Sequence, residues 1–129
     1  PIVDQVDGAN VGVIAYGSSQ YAIDEARDRL GDDAPSFLRL RALPINQTVH
    51  DFVAAHEVVY VIELNRDGQL HKILQTEMPQ MATKLRSLAK NRFLASCWEM
   101  VDPPTTLACT LWWSGMVRVL SLLMLAPLP

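Results

Sequence analysis

The chain has 129 residues and half of them are apolar, so it is long enough for one domain with a substantial core. Its net charge of −3 gives no electrostatic basis for binding nucleic acid or an anionic membrane surface. The two cysteines, Cys97 and Cys109, have neither metal-site nor disulfide-framework spacing, which favours a reduced, cytoplasmic setting. The chain begins with Pro and shows no signal peptide, and we expect it to be a piece of a longer protein.

The first thirty or so residues predict a strand followed by a helix. Residues 1–9 are interpreted as an initial linker, and the apolar run V-G-V-I-A-Y at Val11–Tyr16 predicts a buried strand. Residues 21–30 carry apolar side chains at helical spacing, with Gly31 as a candidate C-cap.

A turn of small residues, Gly17, Ser18 and Ser19, joins this strand to the helix. Ser18 or Ser19 is a candidate N-cap, because serine hydroxyls accept hydrogen bonds from the first helical N–H groups. A turn of this kind can also bind phosphate or carboxylate. The turn lacks both the G-x-G-x-x-G pattern and the Walker lysine, so a structural cap is the favoured interpretation.

Residues 36–43, S-F-L-R-L-R-A-L, predict a second strand with one face less buried, ended by Pro44. Arg39 and Arg41 would then point the same way. They are either a small cationic site for a partner or a carboxylate, or, as we favour, part of a solvated strand face.

A second helix is predicted at Gln47–Ala55, with Asn46 as its N-cap. Its core-facing residues are predicted to be Val49, Phe52 and Val53. His50 and His56 do not have the i, i+3 or i, i+4 spacing of helical metal ligands, so both are predicted to be surface histidines.

A dense polar cluster follows the most apolar strand of the chain. The run V-V-Y-V-I at residues 58–62 predicts a strand buried on both faces, and a short helix is predicted at residues 69–75. Ligands and partners of open α/β sheets bind outside the carboxyl ends of the strands, so this cluster is the main candidate site. Its members are Glu63, Asn65, Arg66, Asp67, Gly68 and Gln69.

The alternation of strands and helices over residues 10–76 predicts the fold class. Short loops and crossover helices imply a parallel sheet with right-handed connections. The prediction is a three-layer, doubly wound α/β domain with a mainly parallel sheet over residues 1–90.

Three blocks of sequence carry a resemblance to a known family. They are V-G-V-I-A-Y-G-S-S-Q-Y-A-I-D-E-A-R-D-R-L, F-L-R-L-R-A-L-P-I-N and V-Y-V-I-E-L-N-R-D-G-Q-L-H-K-I-L. Together they resemble the alpha subunit of 2-oxoacid:ferredoxin oxidoreductases, most closely the 2-oxoglutarate type. The resemblance spans residues 1–90 and matches the region similar to the C-terminal domain of transketolase. Leu64 stands where the family more often has Gln.

The resemblance implies a role within an enzyme complex. Such enzymes decarboxylate a 2-oxoacid on thiamine diphosphate, pass electrons through an iron–sulfur cluster to ferredoxin and release an acyl-CoA. In the family, the ligands of thiamine diphosphate, magnesium and cluster lie on the earlier domain of the alpha subunit and on the beta subunit. The resemblance therefore assigns no catalytic, cofactor-binding or metal residue to this chain. Its implied partners are the remainder of the alpha subunit and the beta subunit, with ferredoxin reached through the complex.

Alternatives stay open for the cluster and for the chain. The cluster is either a docking site between domains or subunits, or a polar network that closes its own loop. The chain is either part of the enzyme or a stand-alone ligand- or protein-binding module of the same fold. A third possibility is the related domain of a thiamine-dependent dehydrogenase beta chain or a transketolase, against which the N-R-D-G-Q-L block argues.

The last part of the chain, residues 91–129, differs from the rest. It has four charged residues and all three tryptophans, and the family resemblance ends with it. The preferred hypothesis is a reading-frame shift near residue 90, which is wrong if no other frame past codon 90 restores a family-like ending. A divergent tail is the second hypothesis. A membrane anchor at residues 107–125 is the third, since 19 apolar-rich residues can span a bilayer.

Overall fold

The computed structural model describes residues 1–89, which form one sheet with helices on both of its faces. The strands and helices are β1 (Ile2–Asp4), β2 (Val11–Tyr16), α1 (Gln20–Leu30), β3 (Ser36–Leu40), α2 (Gln47–Ala55), β4 (Val58–Glu63), α3 (Gln69–Glu77) and β5 (Leu85–Ala89). Short 3₁₀ segments lie at Gly17–Ser19, Gly31–Asp33 and Pro79–Lys84. The hypotheses about residues 91–129, including the span at residues 107–125, lie outside the described residues.

The strand order is β1-β3-β2-β4-β5. Four strands, β2 to β5, run parallel, and β1 pairs antiparallel with β3 at one edge. The chain winds from β2 outward to β3, and then crosses back over β2 to β4. This reversal is the topological switch point of a doubly wound fold, and the predicted fold class is confirmed.

The core consists of two apolar layers, one on each face of the sheet. α1 packs on one face through Ala22, Ile23 and Ala26. α2 and α3 pack on the opposite face, where the largest cluster of buried side chains lies. The helix–sheet–helix arrangement leaves the three loops at the carboxyl ends of β2, β3 and β4 as neighbours.

Several local predictions are confirmed. Strand β2 and helix α2 begin and end where the sequence predicts. The predicted core face of α2 is buried, with Val49, Phe52 and Val53 at most 4% exposed. Gly31 follows α1 as its C-cap, and its N–H donates to the carbonyl of Arg27.

Two predictions at the sheet edge are wrong. Residues 1–9 are not simply a linker, because Ile2–Asp4 forms β1 and pairs with β3. An edge strand held by backbone hydrogen bonds, with its side chains exposed, leaves no burial pattern in the sequence. The strand predicted at residues 36–43 ends at Leu40, where its pairing with Tyr16 of β2 also ends. Arg41 therefore lies beyond the strand, so the pleat does not place it on a shared face with Arg39.

The prediction that His56 is a surface histidine is also wrong, since it is 2% exposed. Its Nδ1–H donates to the carbonyl of Phe52 at 2.7 Å, and the two rings are 4.5 Å apart. Gly12 of β2 lies against both rings, and the absence of a side chain there makes room for them. The spacing of His50 and His56 in the sequence argues against a helical metal site. It does not indicate that His56 packs against Phe52 and Gly12.

Candidate functional site

The described part of the chain has a cleft of about 590 Å³ at the carboxyl ends of β2, β3 and β4. We call it the carboxyl-edge cleft. It lies at the switch point, where the loops after these strands diverge to opposite faces of the sheet. Its lining residues are Tyr16, Gly17, Ser18, Leu40, Ala42, Leu43, Glu63, Leu64, Asn65, Gln69, Leu70 and Ile73.

Glu63 is the buried acid of this cleft. It is the last residue of β4 and is 6% exposed. Its two carboxylate oxygens accept hydrogen bonds from the backbone N–H groups of Leu70 at 2.9 Å and His71 at 3.1 Å. These N–H groups belong to the first turn of α3, where the helix dipole favours a negative charge. A side chain from the strand therefore caps the following helix.

This arrangement explains why the helix begins after a glycine. Gly68 occupies the N-cap position of α3 with φ of 62°, a left-handed conformation that glycine adopts without steric cost. Glycine has no side chain to accept the N–H groups that an N-cap residue normally satisfies. The carboxylate of Glu63 supplies the missing acceptor.

Asn65 holds the loop between the strand and the helix. Its Oδ1 accepts the backbone N–H of Asp67 at 2.8 Å, which forms an Asx turn. Its Nδ2 donates to Oε1 of Gln69 at 3.0 Å. Both ends of the amide are thus used within the loop, which is fixed on both sides of its tip.

Arg66 and Asp67 are the exposed charged residues of the cluster. The side chain of Arg66 is 76% exposed and bonds the carboxylate of the adjacent Asp67, at 3.1 Å from Nε. An exposed ion pair of this kind contributes little to stability. Arg66 and Asp67 therefore both present charged groups to solvent, and the side chain of Arg66 does not support the loop.

The predicted cluster is therefore contiguous, and much of it forms a network that closes the loop on itself. The other interpretation, a docking site between domains or subunits, stays a prediction. The two interpretations are compatible, because a loop fixed from within presents its exposed side chains in one arrangement.

Four of the five secondary candidates lie at two neighbouring loops, and Arg39 lies in β3. Gly17 and Ser18 line the carboxyl-edge cleft. Ser19 is the N-cap residue of α1, but its side chain makes no capping hydrogen bond, and its hydroxyl lies 3.4 Å from the carbonyl oxygen of Tyr16. Arg39 is half-buried in β3, whereas Arg41 is exposed in the loop beside the cleft. The anion-binding and cationic-site interpretations of these residues stay predictions.

Sequence reasoning missed the apolar rim of this cleft. Tyr16, Leu43 and Leu64 line it and are 56%, 53% and 37% exposed, respectively. Tyr16 and Leu43 are the last residues of predicted strands, so the sequence pattern assigns them to the sheet. The sequence feature that could have indicated this rim is Leu64. It is an apolar residue within a polar cluster, at a position where the family more often has Gln.

The polar cluster after β4 does not form a magnesium or magnesium–diphosphate site of the kind that the resemblance implies for the complex. Within residues 1–89 no group of three or more His, Cys, Asp or Glu side chains could hold a metal ion. The oxygens of Glu63 already accept two backbone N–H groups, and Oδ1 of Asn65 accepts a third. The donor set of the cluster therefore does not fit magnesium or a magnesium–diphosphate group. In the same part of the chain, no helix is both long and apolar enough to cross a bilayer.

Comparison with known proteins gives one informative likeness. A structure of 2-oxoglutarate:ferredoxin oxidoreductase from Magnetococcus marinus, with 2-oxoglutarate, coenzyme A and succinyl-CoA bound, matches with a TM-score of 0.54 and 26% sequence identity. This chain is similar to part of that oxidoreductase. The likeness covers 70% of this chain and 16% of the neighbour's chain, so it spans a small part of the larger protein. It supports the family that the three sequence blocks indicate. No protein-family model matches the chain, and no curated protein matches it.

Proposed function

We propose that this chain is a piece of the alpha subunit of a 2-oxoacid:ferredoxin oxidoreductase that acts on 2-oxoglutarate in the cytoplasm. The observation that carries the proposal is the fold and sequence likeness to a 2-oxoglutarate:ferredoxin oxidoreductase. The E-x-N-R-D-G-Q block supports it, because this block resembles the family motif, and its residues form one ordered loop at the carboxyl edge of the sheet. In this proposal the chain corresponds to the region of the subunit that resembles the C-terminal domain of transketolase.

In this proposal the chain shapes the complex and supplies no catalytic group. The enzyme oxidatively decarboxylates the 2-oxoacid to an acyl-CoA, using thiamine diphosphate, magnesium and an iron–sulfur cluster bound elsewhere in the complex. The remainder of the alpha subunit and the beta subunit are its direct partners, and ferredoxin receives the electrons. The loop at residues 63–69 belongs to a contact between domains or subunits.

A stand-alone binding module of the same fold is the second candidate. The observation that favours it is the carboxyl-edge cleft, whose volume of about 590 Å³ is within the range of small-ligand sites. A module of this kind would bind its ligand or partner in the absence of the other enzyme polypeptides.

Reconstitution separates the two candidates. The full chain is mixed with the remaining alpha-subunit portion and the beta subunit from the same genome. Reduction of ferredoxin or a viologen dye is then measured with 2-oxoglutarate and coenzyme A. We expect activity that depends on the added chain, on both substrates and on the 2-oxoacid being 2-oxoglutarate instead of pyruvate. A folded chain that neither restores activity nor binds these polypeptides would refute the enzyme role and favour the module.

A further inference from the structure

We propose that Asp7, in the turn between β1 and β2, is a site of spontaneous isoaspartate formation, and that the loop at residues 63–69 protects Asp67 from the same reaction. The sequence has two Asp-Gly pairs, Asp7-Gly8 and Asp67-Gly68. Both pairs carry the same reacting groups. A difference in their reactivity therefore comes from how the fold restrains each pair.

The reaction needs only the two residues and water. The main-chain nitrogen of the glycine attacks the side-chain carbon Cγ of the preceding aspartic acid, whose carboxyl group is protonated. An N–Cγ bond forms, and the carboxyl OH leaves with the amide hydrogen as water, which gives a five-membered succinimide ring. Water then adds to the former main-chain carbonyl and breaks its bond to the glycine nitrogen, so that the chain continues through Cβ and Cγ as isoaspartate. Glycine favours ring closure because it has no Cβ to hinder the approach.

Ring closure depends on local motion of the backbone. The nitrogen must meet Cγ at bonding distance, so the main-chain and side-chain torsions of the aspartate have to change. Hydrogen bonds beside the reacting peptide unit resist this motion, and a segment without them moves at little cost in free energy.

The Asp67-Gly68 pair is held on both sides of its peptide bond. The N–H of Asp67 donates to Oδ1 of Asn65 at 2.8 Å, and the carbonyl oxygen of Gly68 accepts the N–H of Lys72 at 3.1 Å. Gly68 is also buried. The fold therefore restrains the attacking nitrogen and limits the access of water to it.

The Asp7-Gly8 pair has no such restraint. Both residues are exposed, and neither makes a hydrogen bond with another of the described residues. The turn is held outside the pair, where the N–H of Ala9 donates to the carbonyl oxygen of Val6 at 3.2 Å. The peptide unit between Asp7 and Gly8 is thus free to rotate, and water reaches it.

Isoaspartate at Asp7 changes the attachment of β1. The product has one more main-chain carbon in the turn that joins β1 to β2. Strand β1 is three residues long with exposed side chains, so it is held mainly by its pairing with β3. A longer turn should loosen this pairing. The carboxyl-edge cleft lies at the other end of the strands and should not change.

The test follows isoaspartate in the full chain during incubation at body temperature in mildly acidic buffer. Trypsin places the two pairs on different peptides, because Arg27 lies between them, and electron-transfer fragmentation locates isoaspartate in each peptide. We expect isoaspartate at Asp7 to accumulate at least about tenfold faster than at Asp67 in the folded chain. In urea that unfolds the chain, the two rates should become similar.

Two results would overturn the inference. Equal rates at the two sites in the folded chain would show that the fold does not discriminate between them. A difference that persists in urea would show that the neighbouring residues in the sequence decide the rates. Both comparisons use the wild-type chain, so neither depends on the folding of a variant.

Asn65→Ala tests the protection of Asp67 directly. The substitution removes the acceptor of the Asp67 N–H, so the rate at Asp67 should rise severalfold in the folded chain. The rate at Asp7 is the internal control and should stay unchanged. Circular dichroism verifies that the variant folds. An unchanged rate at Asp67 would contradict the proposed protection.

Asp7→Glu tests the consequence for β1. The longer side chain keeps the charge but would have to close a six-membered ring, which forms far more slowly. After the same incubation, the backbone amides of β1 should exchange hydrogen faster in the wild type than in Asp7→Glu, whereas those of α3 should exchange equally. Equal exchange in β1 would refute the loosening of this strand.

Discussion

Replacing Glu63 tests whether a strand carboxylate caps the next helix. Glu63→Ala removes both acceptors from the N–H groups of Leu70 and His71, one of which lies in buried surroundings. Glu63→Gln keeps one acceptor oxygen but turns an amide NH₂ toward a backbone N–H group. The expected order of stability is therefore wild type, then Gln, then Ala.

The magnitude follows from the two hydrogen bonds and the helix dipole. Hydrogen bonds to a charged group contribute about 1.5–3 kcal/mol each, and a carboxylate at a helix N-terminus adds about 0.3–1 kcal/mol. Water reaches part of the first turn after the substitution and offsets some of this loss. We expect Glu63→Ala to lower the free energy of unfolding by about 2–4 kcal/mol and Glu63→Gln by about 1–2 kcal/mol.

The assay is urea unfolding of the full chain, followed by far-UV circular dichroism. The matched control is Glu57→Ala, which removes an exposed glutamate whose side chain has no hydrogen bond or ion pair among the described residues. That substitution should change the free energy of unfolding by no more than about 0.5 kcal/mol. If Glu63→Ala costs no more than the control, the carboxylate does not cap α3 and the argument is wrong.

Two other substitutions test how α2 is held on the sheet. Gly12→Ala would place a Cβ 2.8 Å from the ring of Phe52 and 3.1 Å from that of His56, so it should destabilise the fold by about 1–3 kcal/mol in urea unfolding. Adding Phe52→Leu should return part of that loss, and strictly additive costs in this double-mutant cycle would argue against the clash. Lys84→Met should cost about 1–2 kcal/mol, because Nζ donates to three carbonyl oxygens at the end of α2, at 2.8, 2.9 and 3.4 Å. Lys72→Met, at an exposed position on α3, is the control, and equal losses would contradict the capping role.

The sequence was informative wherever structure depends on neighbours along the chain. The apolar run of β2 and the helical spacing of α2 gave both elements their observed bounds. It failed at the two edge strands of the sheet, β1 and β5. β1 has exposed side chains, and β5 reads L-R-S-L-A, which is a weak strand pattern. Backbone pairing with a strand already in place stabilises such elements, and periodicity does not record it.

The loop at residues 63–69 likewise combines features that depend on neighbours along the chain with features that depend on tertiary contacts. The pair Asp67-Gly68 favours a turn on sequence alone, because the conformational freedom of glycine and the bonding of Asn and Asp side chains to nearby backbone are local properties. The contact between the carboxylate of Glu63 and the first turn of α3 is not local in this sense, because it depends on how α3 folds back beside β4. Only the structure shows that Arg66 and Asp67 are the exposed charged members of the cluster, whereas Glu63 and Asn65 are paired within the loop.

By itself, the sequence determined the α/β class, most of the strands and helices of the described residues, the polar cluster after β4 and the resemblance to 2-oxoacid:ferredoxin oxidoreductases. These depend on side-chain periodicity, turn chemistry and motif order, all of which are written along the chain. Tertiary structure alone decided the burial of His56, the pairing of β1 with β3 and the carboxyl-edge cleft. Each of these joins segments far apart in sequence. The strand order places Tyr16, Leu43 and Leu64 around one cleft, because three parallel strands end at the same edge of the sheet.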